Sequence, residues 1–521
     1  MSAGRVVGRS AVTTGARRFV TTSANGALAA AYAPEHARLV GLRDLRAVQE
    51  DLLRATLRRN TDCEFGRAHG FETIRSVRAY RDAVPTSTWD DYIDATDRIA
   101  RGTAGVLTTE RVRLLEPSSG STSASKLVPY TRSLKAEYQR GLTPWLHDLF
   151  RAYPRLMRGR SYWSITPPGE ALAELRGRYP AGSGRVPIGF DADDDYLGPV
   201  AKRLVNLVFA VPPDVARTSD TDRFLDDTCV HLLAAGDLAL VSVWNPTLFL
   251  ILLDRMRERA DELLPRLPTR RDAVAGALRD GDWAALWPGL ALISCWAEAA
   301  AAAPAAALAS RFPGVVIQPK GLLATEGFVS LPLTAAGGAV LSARSHFFEF
   351  FEAAADAPIA PLADAMLMAH ELEVGHRYGV VLTTGGGLYR YRLGDLVEVT
   401  GRFGVLPVLR FLGRLDRVSD LVGEKLSEEF VIRVLAVCGV ADATLAAADD
   451  HYELRVRASD PSVAARVDDA LRANFHYDHA RRLGQLGPVL LAPPSSPLAA
   501  TRGRLGDVKP TALLGPPTFG S

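Results

Sequence analysis

The sequence is poor in cysteine and contains no paired cysteine motif. Its 521 residues include four cysteines, Cys63, Cys229, Cys295 and Cys438, which lie far apart and form no C-x-x-C. A disulfide framework or a cysteine-based metal site would need a denser or more regular spacing. The pattern argues against both kinds of site and predicts a protein of a reducing compartment, the cytoplasm.

Net charge and long apolar runs are also missing. The 61 Lys and Arg residues nearly balance the 59 Asp and Glu residues, which leaves a formal net charge of +2. This balance gives no electrostatic reason to bind nucleic acid or an anionic membrane. The most apolar stretch, residues 286–308, is interrupted by Glu298 and Pro304 and is not typical of a membrane-spanning helix. We expect no nucleic-acid or membrane partner, and we expect a monomer.

Lysine is scarce as well, because only six of the 61 basic residues are Lys. The excess of Arg is typical of a GC-rich coding sequence and makes the remaining lysines informative. Four of them, Lys126, Lys320, Lys425 and Lys509, lie in or beside the motifs described below. Arginine cannot replace a compact ammonium group in a tight phosphate site. The alternative explanation is that four of the six lysines lie in or beside these motifs by chance.

What the chain does have is the length and pattern of an α/β protein with two or three domains. Its hydrophobic fraction of 47% can supply a sizeable core. Residues 1–34 are rich in Arg, Ser and Thr and precede the first acidic residue, Glu35, so we assign them to a disordered or targeting-like tail. From Leu415 onward, short strands and helices alternate, which predicts a small α+β domain.

The stretch from Tyr389 to Glu429 organises the rest of the chain. Its opening letters, YRYRLGD, alternate as in a half-buried strand, and Gly385-Gly386-Gly387 before it predicts a hairpin. We interpret Gly394-Asp395 as a break in that strand. An Asp at such a turn can accept two hydroxyl hydrogen bonds, as from a ribose. A turn-stabilising Asp is the alternative.

Charged residues beside a glycine come next in the same stretch. Gly413, Arg414 and Asp416 lie between two regions that are each complete in composition. Such a junction favours a hinge between domains, and Arg414 is long enough to reach a ribose or a phosphate.

A loop of small residues joins a predicted strand to a predicted helix. Its members are Ser118, Ser119, Gly120, Ser121, Thr122, Ser123, Ala124, Ser125 and Lys126. Small side chains let backbone N–H groups approach phosphates, while the hydroxyls and the Lys126 ammonium add further contacts. The loop is not a Walker A motif, because it lacks G-x-x-x-x-G-K-[ST]. Taken alone, a Ser-rich segment is more often a linker.

Thr325 and Glu326 follow another predicted strand. A Thr hydroxyl can donate to a phosphate, and a Glu carboxylate is a hard oxygen ligand for the Mg²⁺ that such a phosphate binds. An exposed Glu at a strand end is the alternative. His346 differs, since a histidine beside Phe347 and Phe348 on a strand is expected to be packed rather than catalytic.

The order of these motifs resembles that of the adenylate-forming superfamily of acyl-CoA synthetases, luciferases and adenylation domains. The fuller wording GLYRYRLGDLVEVTG resembles the auxin-responsive GH3 family of acyl-acid amido synthetases, as a bacterial-type member, over nearly the whole chain from about Glu35. The loop at Ser118 resembles the superfamily's phosphate loop of spacing SGTTGxPK. It departs from that loop because Ser123 replaces the second glycine and Ser125 replaces the proline.

The resemblance implies a fold and a division into domains. We expect a large N-terminal α/β domain over residues 35–413, with β-sheets and a β-barrel-like part, which binds nucleotide and acyl acid. A small, mobile α+β lid follows over residues 414–521. Lys509 lies where the superfamily places its adenylation lysine, which can bridge the attacking carboxylate and the α-phosphate. Lys425 lies where the family usually reads DKTDE. A lysine on a frayed tail and a solvated helix-start lysine are the respective alternatives.

The implied function is that of a ligase that uses ATP and Mg²⁺. It would activate a small carboxylic acid as acyl-AMP, release pyrophosphate, and conjugate the acyl group to the amine of an amino acid. Lys509, Glu326 and Lys126 carry the catalytic roles in this reading. Two alternatives remain: an acid–thiol ligase acting on CoA or a carrier protein, and an inactive nucleotide-binding protein, which the altered loop at Ser123 leaves open. The sequence identifies neither the acid nor the amine.

Overall fold

The computed structural model describes most of the chain. The described residues are 14–118, 126–165, 167, 170–179, 185–189, 204, 207–218, 220–353, 366–415, 418–419, 421–422, 424, 426–456, 460, 462–492 and 511–515.

The helices of the described part are distributed along the whole chain. They are α1 (Thr14–Val40), α2 (Leu45–Arg59), α3 (Glu64–Ala68), α4 (Val77–Ala83), α5 (Ile93–Ala100), α6 (Arg132–Ala152), α7 (Glu170–Arg178), α8 (Thr221–Ala234), α9 (Pro246–Glu258), α10 (Ala260–Leu263), α11 (Arg271–Asp280), α12 (Trp283–Leu286), α13 (Ala302–Arg311), α14 (Glu428–Val437), α15 (Ser462–Leu471) and α16 (Phe475–Arg482).

The strands concentrate in the second half of the chain. They are β1 (Leu114–Pro117), β2 (Leu127–Tyr130), β3 (Arg160–Trp163), β4 (Leu238–Ser242), β5 (Leu292–Cys295), β6 (Val316–Pro319), β7 (Ser330–Leu333), β8 (Gly338–Leu341), β9 (Phe347–Glu352), β10 (Leu367–Met368), β11 (Arg377–Thr383), β12 (Tyr391–Phe403), β13 (Leu406–Arg414), β14 (Val418–Ser419), β15 (Leu426–Ser427), β16 (Thr444–Ala447), β17 (Tyr452–Arg455), β18 (Leu490–Leu491) and β19 (Leu513–Leu514). The mixed α/β class predicted from the sequence is confirmed.

A four-stranded parallel sheet, β3-β4-β5-β6, forms one layer. Parallel neighbours need helical crossovers, and α8, α9 and α13 lie among the connections between these strands. β4 and β5 are buried at every position, as expected for a sheet covered on both faces. Local sequence fixes the start of α9, because the Asn245 side chain accepts from the Thr247 N–H at 2.9 Å and Pro246 occupies the first turn.

A seven-stranded antiparallel sheet has the order β10-β9-β11-β12-β13-β8-β7. Its strands share one large core cluster with α6, in which Tyr378, Val397 and Leu406 are almost fully buried. The end strands β10 and β7 are not paired with each other in the described part of the chain. The β-barrel-like part of the expected fold is therefore an open sheet within these residues.

The strand break expected at Gly394-Asp395 is corrected by the structure. β12 runs without interruption from Tyr391 to Phe403, and the pairing with β11 shifts register opposite this point. Gly394 has φ of 82°, a left-handed conformation that glycine adopts without steric cost. The irregularity is therefore a bulge, which redirects side chains while leaving the strand intact.

The C-terminal elements have a core of their own. The sheet order is β18-β17-β16-β19, and α14, α15 and α16 supply side chains such as Leu435, Val467 and Tyr477 to the cluster beneath it. This is an α+β arrangement, as expected for the residues after Leu415. The domain boundary between residues 413 and 414, and the mobility of the second domain, remain predictions.

The N-terminal tail is corrected for the residues that the structure describes. Residues 14–34 are not disordered, because they lie in α1, which packs against α6, while a targeting role for the tail stays a prediction. The Asn25 amide donates to the carbonyl oxygens of Leu156, Met157 and Gly159 at 3.1 to 3.3 Å. Long-range packing therefore stabilises a helix whose local composition resembles that of a tail. Residues 1–13 lie outside the described part.

None of the helices among the described residues has the length and apolarity required to cross a membrane.

Lys320 lies directly after β6, at the carboxyl edge of the parallel sheet, and is buried. Its ammonium nitrogen lies 2.7 Å from Ser242 Oγ. It also lies 4.7 Å from the ring centre of Trp145, 5.6 Å from that of Trp163 and 4.9 Å from that of Trp244. Burial lowers the pKa of Lys320 to about 7, because desolvation disfavours the charged form.

Lys320 should make stability depend on pH. The pKa is about 7 in the fold and about 10.4 in an unfolded chain, so between these values the unfolded state binds one more proton. Stability should therefore rise with pH across this window. Relative to Lys320→Met, the free energy of unfolding of the wild type should be larger at about pH 9 than at about pH 7, by roughly 2 kcal/mol. Urea unfolding at both pH values measures it, and an unchanged difference would contradict the burial argument.

Candidate active site

Three polar side chains from distant parts of the chain lie within hydrogen-bonding distance of one another. The Lys126 ammonium nitrogen lies 2.9 Å from the Tyr391 hydroxyl and 3.4 Å from Glu326 Oε1. The Tyr391 hydroxyl lies 3.3 Å from the same carboxylate oxygen. Lys126 and Glu326, predicted from separate motifs, are thus brought together. We call Lys126, Glu326 and Tyr391 the polar triangle.

Lys126 is held at one end of the small-residue loop by a β-hairpin. β1 and β2 pair antiparallel, and the Ser118 N–H donates to the Lys126 carbonyl at 2.8 Å. The ends of the loop are therefore pinned together. Ser118 Oγ is buried and has no hydrogen-bond partner among the described residues. Ser119, Gly120, Ser121 and Thr122 lie outside the described residues.

Glu326 lies in a short reverse turn after β6. The Ala324 and Gly327 backbones exchange hydrogen bonds of 3.1 and 3.2 Å, and Leu323 bridges to Phe328. Thr325 is half-buried, whereas the Glu326 side chain is 7% exposed. The turn thus presents Glu326 towards the interior, and the interpretation of Glu326 as an exposed strand-end residue is excluded.

Tyr138 supports this turn from α6. Its hydroxyl donates to the Thr325 carbonyl at 2.7 Å and also contacts the Ala324 carbonyl. Burial raises the pKa of Tyr138 well above its usual range, so the hydroxyl keeps the proton that it donates. Gly141, one turn further along α6, allows the Phe328 ring to approach so closely that a Cβ there would lie 2.5 Å from it. Helix and turn are therefore packed directly against each other.

Tyr391 is oriented by an unusual backbone conformation at the residue before it. Arg390 has φ of 48°, in the left-handed region that non-glycine residues rarely adopt. Its buried guanidinium holds this conformation, since Nε lies 2.9 Å from Glu349 Oε2 and Nη1 donates to the Val84 carbonyl at 2.7 Å. Strain of this kind persists only where surrounding contacts enforce it, and here it sets the direction of Tyr391.

Asp395 and Arg414 form a second pair. Asp395 is fully buried in the bulge of β12, and Arg414 Nη1 lies 3.3 Å from Asp395 Oδ1. Gly413 pairs with Leu396 inside β13 and has φ of 151°, a value that favours glycine. The predicted ribose residue is thus already engaged by Arg414, and the predicted hinge glycine is a strand residue. Asp416, Lys425 and Lys509 lie outside the described residues.

Two side chains of the site were not predicted from the sequence. The sequence pattern places Tyr391 in an alternating strand and Tyr138 in a helix, and it predicts no further role for either. Neither has a local signal, because the role of each depends on a partner more than 60 residues away. The repeated tyrosine of YRYR was the available hint, since one of two alternating tyrosines can reach a neighbouring motif.

The polar triangle can stabilise anionic oxygens and can help to hold a cation. The ammonium and the phenol supply donors, and the buried carboxylate supplies hard oxygen ligands. Within the described residues, no group of three or more His, Cys, Asp or Glu could hold a metal ion. Mg²⁺ is commonly bound by one or two carboxylates together with substrate phosphates. Glu326 fits a metal that arrives with a phosphate, rather than one held by the protein alone.

Comparison with protein families gives two matches along the chain. The model described as "GH3 family N-terminal domain" matches residues 41–274, and the model described as "GH3 family central domain" matches residues 339–414. Together they cover more than half of the 521 residues. They include Lys126, Tyr391, Asp395 and Arg414.

Similar proteins occur among plant amido synthetases. A probable indole-3-acetic acid-amido synthetase of Oryza sativa subsp. japonica, GH3.12, is 26% identical over 477 residues, which is 80% of this chain and 76% of that protein. Another from the same organism, GH3.2, is 24% identical over 435 residues, which is 74% of this chain and 69% of that protein. Indole-3-acetic acid-amido synthetase GH3.10 of Arabidopsis thaliana is 33% identical over 160 residues, 26% of each chain.

Solved structures confirm the fold. The structure titled "AtGH3.15 acyl acid amido synthetase in complex with 2,4-DB" aligns with a TM-score of 0.75 and 17% sequence identity, over 92% of this chain and 93% of that one. A second structure, titled "GH3.15 acyl acid amido synthetase", aligns with a TM-score of 0.70 and 18% identity, over 86% of each chain.

Tyr391→Phe isolates the hydroxyl of the polar triangle. The ring packing is retained, while Lys126 and Glu326 lose a shared partner, so catalysis should fall about tenfold and stability by about 1–2 kcal/mol, as for other buried hydroxyls. The control is Tyr389→Phe, because the buried Tyr389 hydroxyl donates to the Leu107 carbonyl at 2.7 Å. That variant should lose about 1–2 kcal/mol of stability and keep its activity. Urea unfolding checks that both variants are destabilised alike, steady-state rates separate the two cases, and equal rates for both variants would remove Tyr391 from the site.

Proposed function

The chain belongs to the GH3 family, and we propose that it is an ATP-dependent acyl acid amido synthetase. It is an enzyme of the amide-forming ligase class. Its reaction would join a small carboxylic acid to the amine of an amino acid, with an acyl-adenylate as the intermediate. The observation that carries the proposal is the polar triangle, which unites the loop ending at Lys126, the turn bearing Glu326 and the strand bearing Tyr391.

Activation is needed because a carboxylate does not react with an amine at neutral pH. Attack of the carboxylate oxygen on the α-phosphorus of ATP forms a mixed anhydride and releases pyrophosphate. The neutral amine then attacks the acyl carbon, AMP leaves with the electron pair of the broken C–O bond, and the nitrogen releases a proton to solvent. Negative charge accumulates on phosphate oxygens in the first step, so fixed donors and cations lower its barrier.

The residues of this chain have distinct roles in that step. Lys126 and the loop Ser118, Ser119, Gly120, Ser121 and Thr122 would hold phosphate oxygens, with Thr325 as a further donor. Glu326 would bind a phosphate-associated Mg²⁺, and Tyr391 would keep the Glu326 carboxylate and Lys126 in register. When bound, Mg²⁺ would offset negative charge on the phosphates.

The nucleotide and the C-terminal lysines complete the proposed site. Asp395, Arg414 and Lys425 would hold the ribose and its neighbouring phosphate. For the Asp395 carboxylate to receive ribose hydroxyls, Arg414 would exchange part of its present contact. Lys509 would bridge the attacking carboxylate and the α-phosphate during adenylation.

Two half-reactions in one small site favour a moving lid. Residues 414–521 would turn on the domain that precedes them, with Gly413 and Asp416 as the hinge. Lys509 would be placed for the first half-reaction and withdrawn for the second. The enzyme would work as a cytoplasmic monomer.

The test is product analysis with an acid library. Wild-type protein with ATP, Mg²⁺ and mixed amino acids should release AMP and pyrophosphate and yield amide products, identified by mass spectrometry. Release of ADP and phosphate would overturn the adenylation step. Products that require CoA instead of an amino acid would assign an acid–thiol ligase, and nucleotide binding without turnover for any acid would assign an inactive binding protein.

Lys509→Ala should separate the two half-reactions. Formation of acyl-adenylate should slow by at least about a hundredfold, because a charge next to the α-phosphate is lost in the transition state. Amide formation from a supplied acyl-adenylate should change far less. Single-turnover kinetics of each half-reaction measure this, and an equal loss in both would show that Lys509 has no step-specific role. Asp416→Pro, which restricts φ at the hinge, should instead impair repeated turnover.

A further inference from the structure

A buried glutamate–histidine pair lies behind the polar triangle. Glu137, on α6, accepts a hydrogen bond of 2.9 Å from Nδ1 of His346, the residue before β9. The His346 side chain is fully buried, and that of Glu137 is 6% exposed. Such a pair in the interior needs every polar atom to have a partner. The role of the pair follows from the hydrogen-bond partners of His346 Nε2 and of the Glu137 carboxylate oxygens.

The far side of the histidine ring contacts the turn that bears Glu326. The Phe328 N–H donates to His346 Nε2 at 2.9 Å. Nε2 is therefore the unprotonated nitrogen, and Nδ1 carries the proton that Glu137 accepts; this network assigns the tautomer. Packing holds the ring in place, because a Cβ at Gly327 would lie 3.2 Å from His346 Nε2.

Both oxygens of the Glu137 carboxylate, including the Oε2 that faces His346, contact the turn that leads to Tyr391. The Gly385 N–H lies 3.0 Å from Glu137 Oε1 and 2.9 Å from Glu137 Oε2. The Thr131 hydroxyl, at the start of α6, donates to the Gly385 carbonyl at 2.8 Å. A Cβ at Gly385 would lie 2.6 Å from Glu137. The turn at Gly385 is thus bonded to α6, the same helix that binds His346 through Glu137.

From this geometry we propose that Glu137 and His346 are positioning residues for Glu326. The pair joins the Ala324–Phe328 turn to the Gly385 turn through α6, and so holds the Glu326 carboxylate against the Tyr391 hydroxyl. The roles proposed above assign neither residue a contact with substrate; the contacts of the pair are with the two turns. The inference rests on the proposed function for its kinetic readout, whereas its structural readout is independent of activity.

The same helix carries a second buried pair that serves as a matched control. His36, on α1, lies 3.8 Å from Asp148 Oδ1, on α6. Asp148 also accepts from the Thr334 N–H at 2.7 Å. His36 therefore resembles His346 in burial and in having a carboxylate partner on α6, but its pair braces α1 and the residue after β7 instead of the turn of Glu326.

A double-mutant cycle tests the proposal kinetically. His346→Leu should lower the rate of acyl-adenylate formation by about tenfold to a hundredfold, because a misplacement of about 1 Å has effects of this size. In a Glu326→Gln background the same change should cost less than about twofold, since the group that it positions is already disabled. His36→Leu should change the rate less than about twofold in either background. Equal losses from His346→Leu in both backgrounds would overturn the proposal.

A conservative variant distinguishes positioning from general support of the core. His346→Gln offers an amide oxygen to the Phe328 N–H and should recover most of the rate lost in His346→Leu. If His346→Leu does not fold, His346→Gln and Glu137→Gln provide the cycle with Glu326→Gln. Additive losses in that cycle overturn the proposal equally.

Hydrogen exchange provides the readout that does not depend on activity. The Phe328 amide should exchange faster in His346→Leu than in the wild type, and the Gly385 amide faster in Glu137→Ala. His36→Leu should leave both amides unchanged. If the wild type releases no pyrophosphate with any acid, the proposed function fails, and exchange alone decides the role of the pair. Unchanged protection of Phe328 in His346→Leu would overturn it.

Discussion

The structure depends on the hydrogen bonding of its buried backbone, because each N–H and C=O group that is removed from water on folding needs a hydrogen-bond partner. Turns at the site cannot supply these partners themselves, because they lie outside regular helices and sheets. α6 meets the requirement with the side chains of Thr131, Glu137 and Tyr138, which bond the Gly385 backbone and the Thr325 carbonyl. One rigid helix therefore sets the positions of two turns that belong to different strands, and the triangle of Lys126, Glu326 and Tyr391 follows from that arrangement.

A buried ion pair fixes the orientation of Tyr391, the third member of the polar triangle. Arg390 and Glu349 lie almost fully out of water, and Arg81 Nε also contacts Glu349 at 2.8 Å. Removing one partner of such a pair typically costs about 3–5 kcal/mol, because the other charge is left uncompensated. The left-handed conformation of Arg390 is unfavourable by roughly 1–2 kcal/mol. Because breaking the ion pair would cost more than this, Arg390 stays in that conformation. The ion pair that stabilises Arg390 and the backbone strain at Arg390 thus involve the same residue. The orientation of Tyr391 results from the balance between them.

Much of the fold and part of the site could be predicted from local sequence. The strand that includes Tyr391, the mixed α/β class and the meeting of Lys126 with Glu326 all follow from periodicity or motif order, whereas Tyr389 and Arg390, which were expected in that strand, precede it. The bulge at Gly394 could not be told from a strand break, because a glycine favours either. α1 was missed because its stability comes from contacts such as that of Asn25 with Leu156. Tyr138 and Glu137 carry no motif, since each acts on a backbone far away in sequence.

The docking of α1 on α6 has a consequence for how the chain folds during synthesis. α1 ends at Val40 and α6 begins at Arg132. At ordinary elongation rates α6 therefore leaves the ribosome roughly 5–20 s after α1. Throughout that interval the apolar side chains of Leu28 and Tyr32 have no surface to cover them. α1 is thus made well before the helix that covers it, and until then its exposed apolar face is a natural target for chaperones that bind nascent chains.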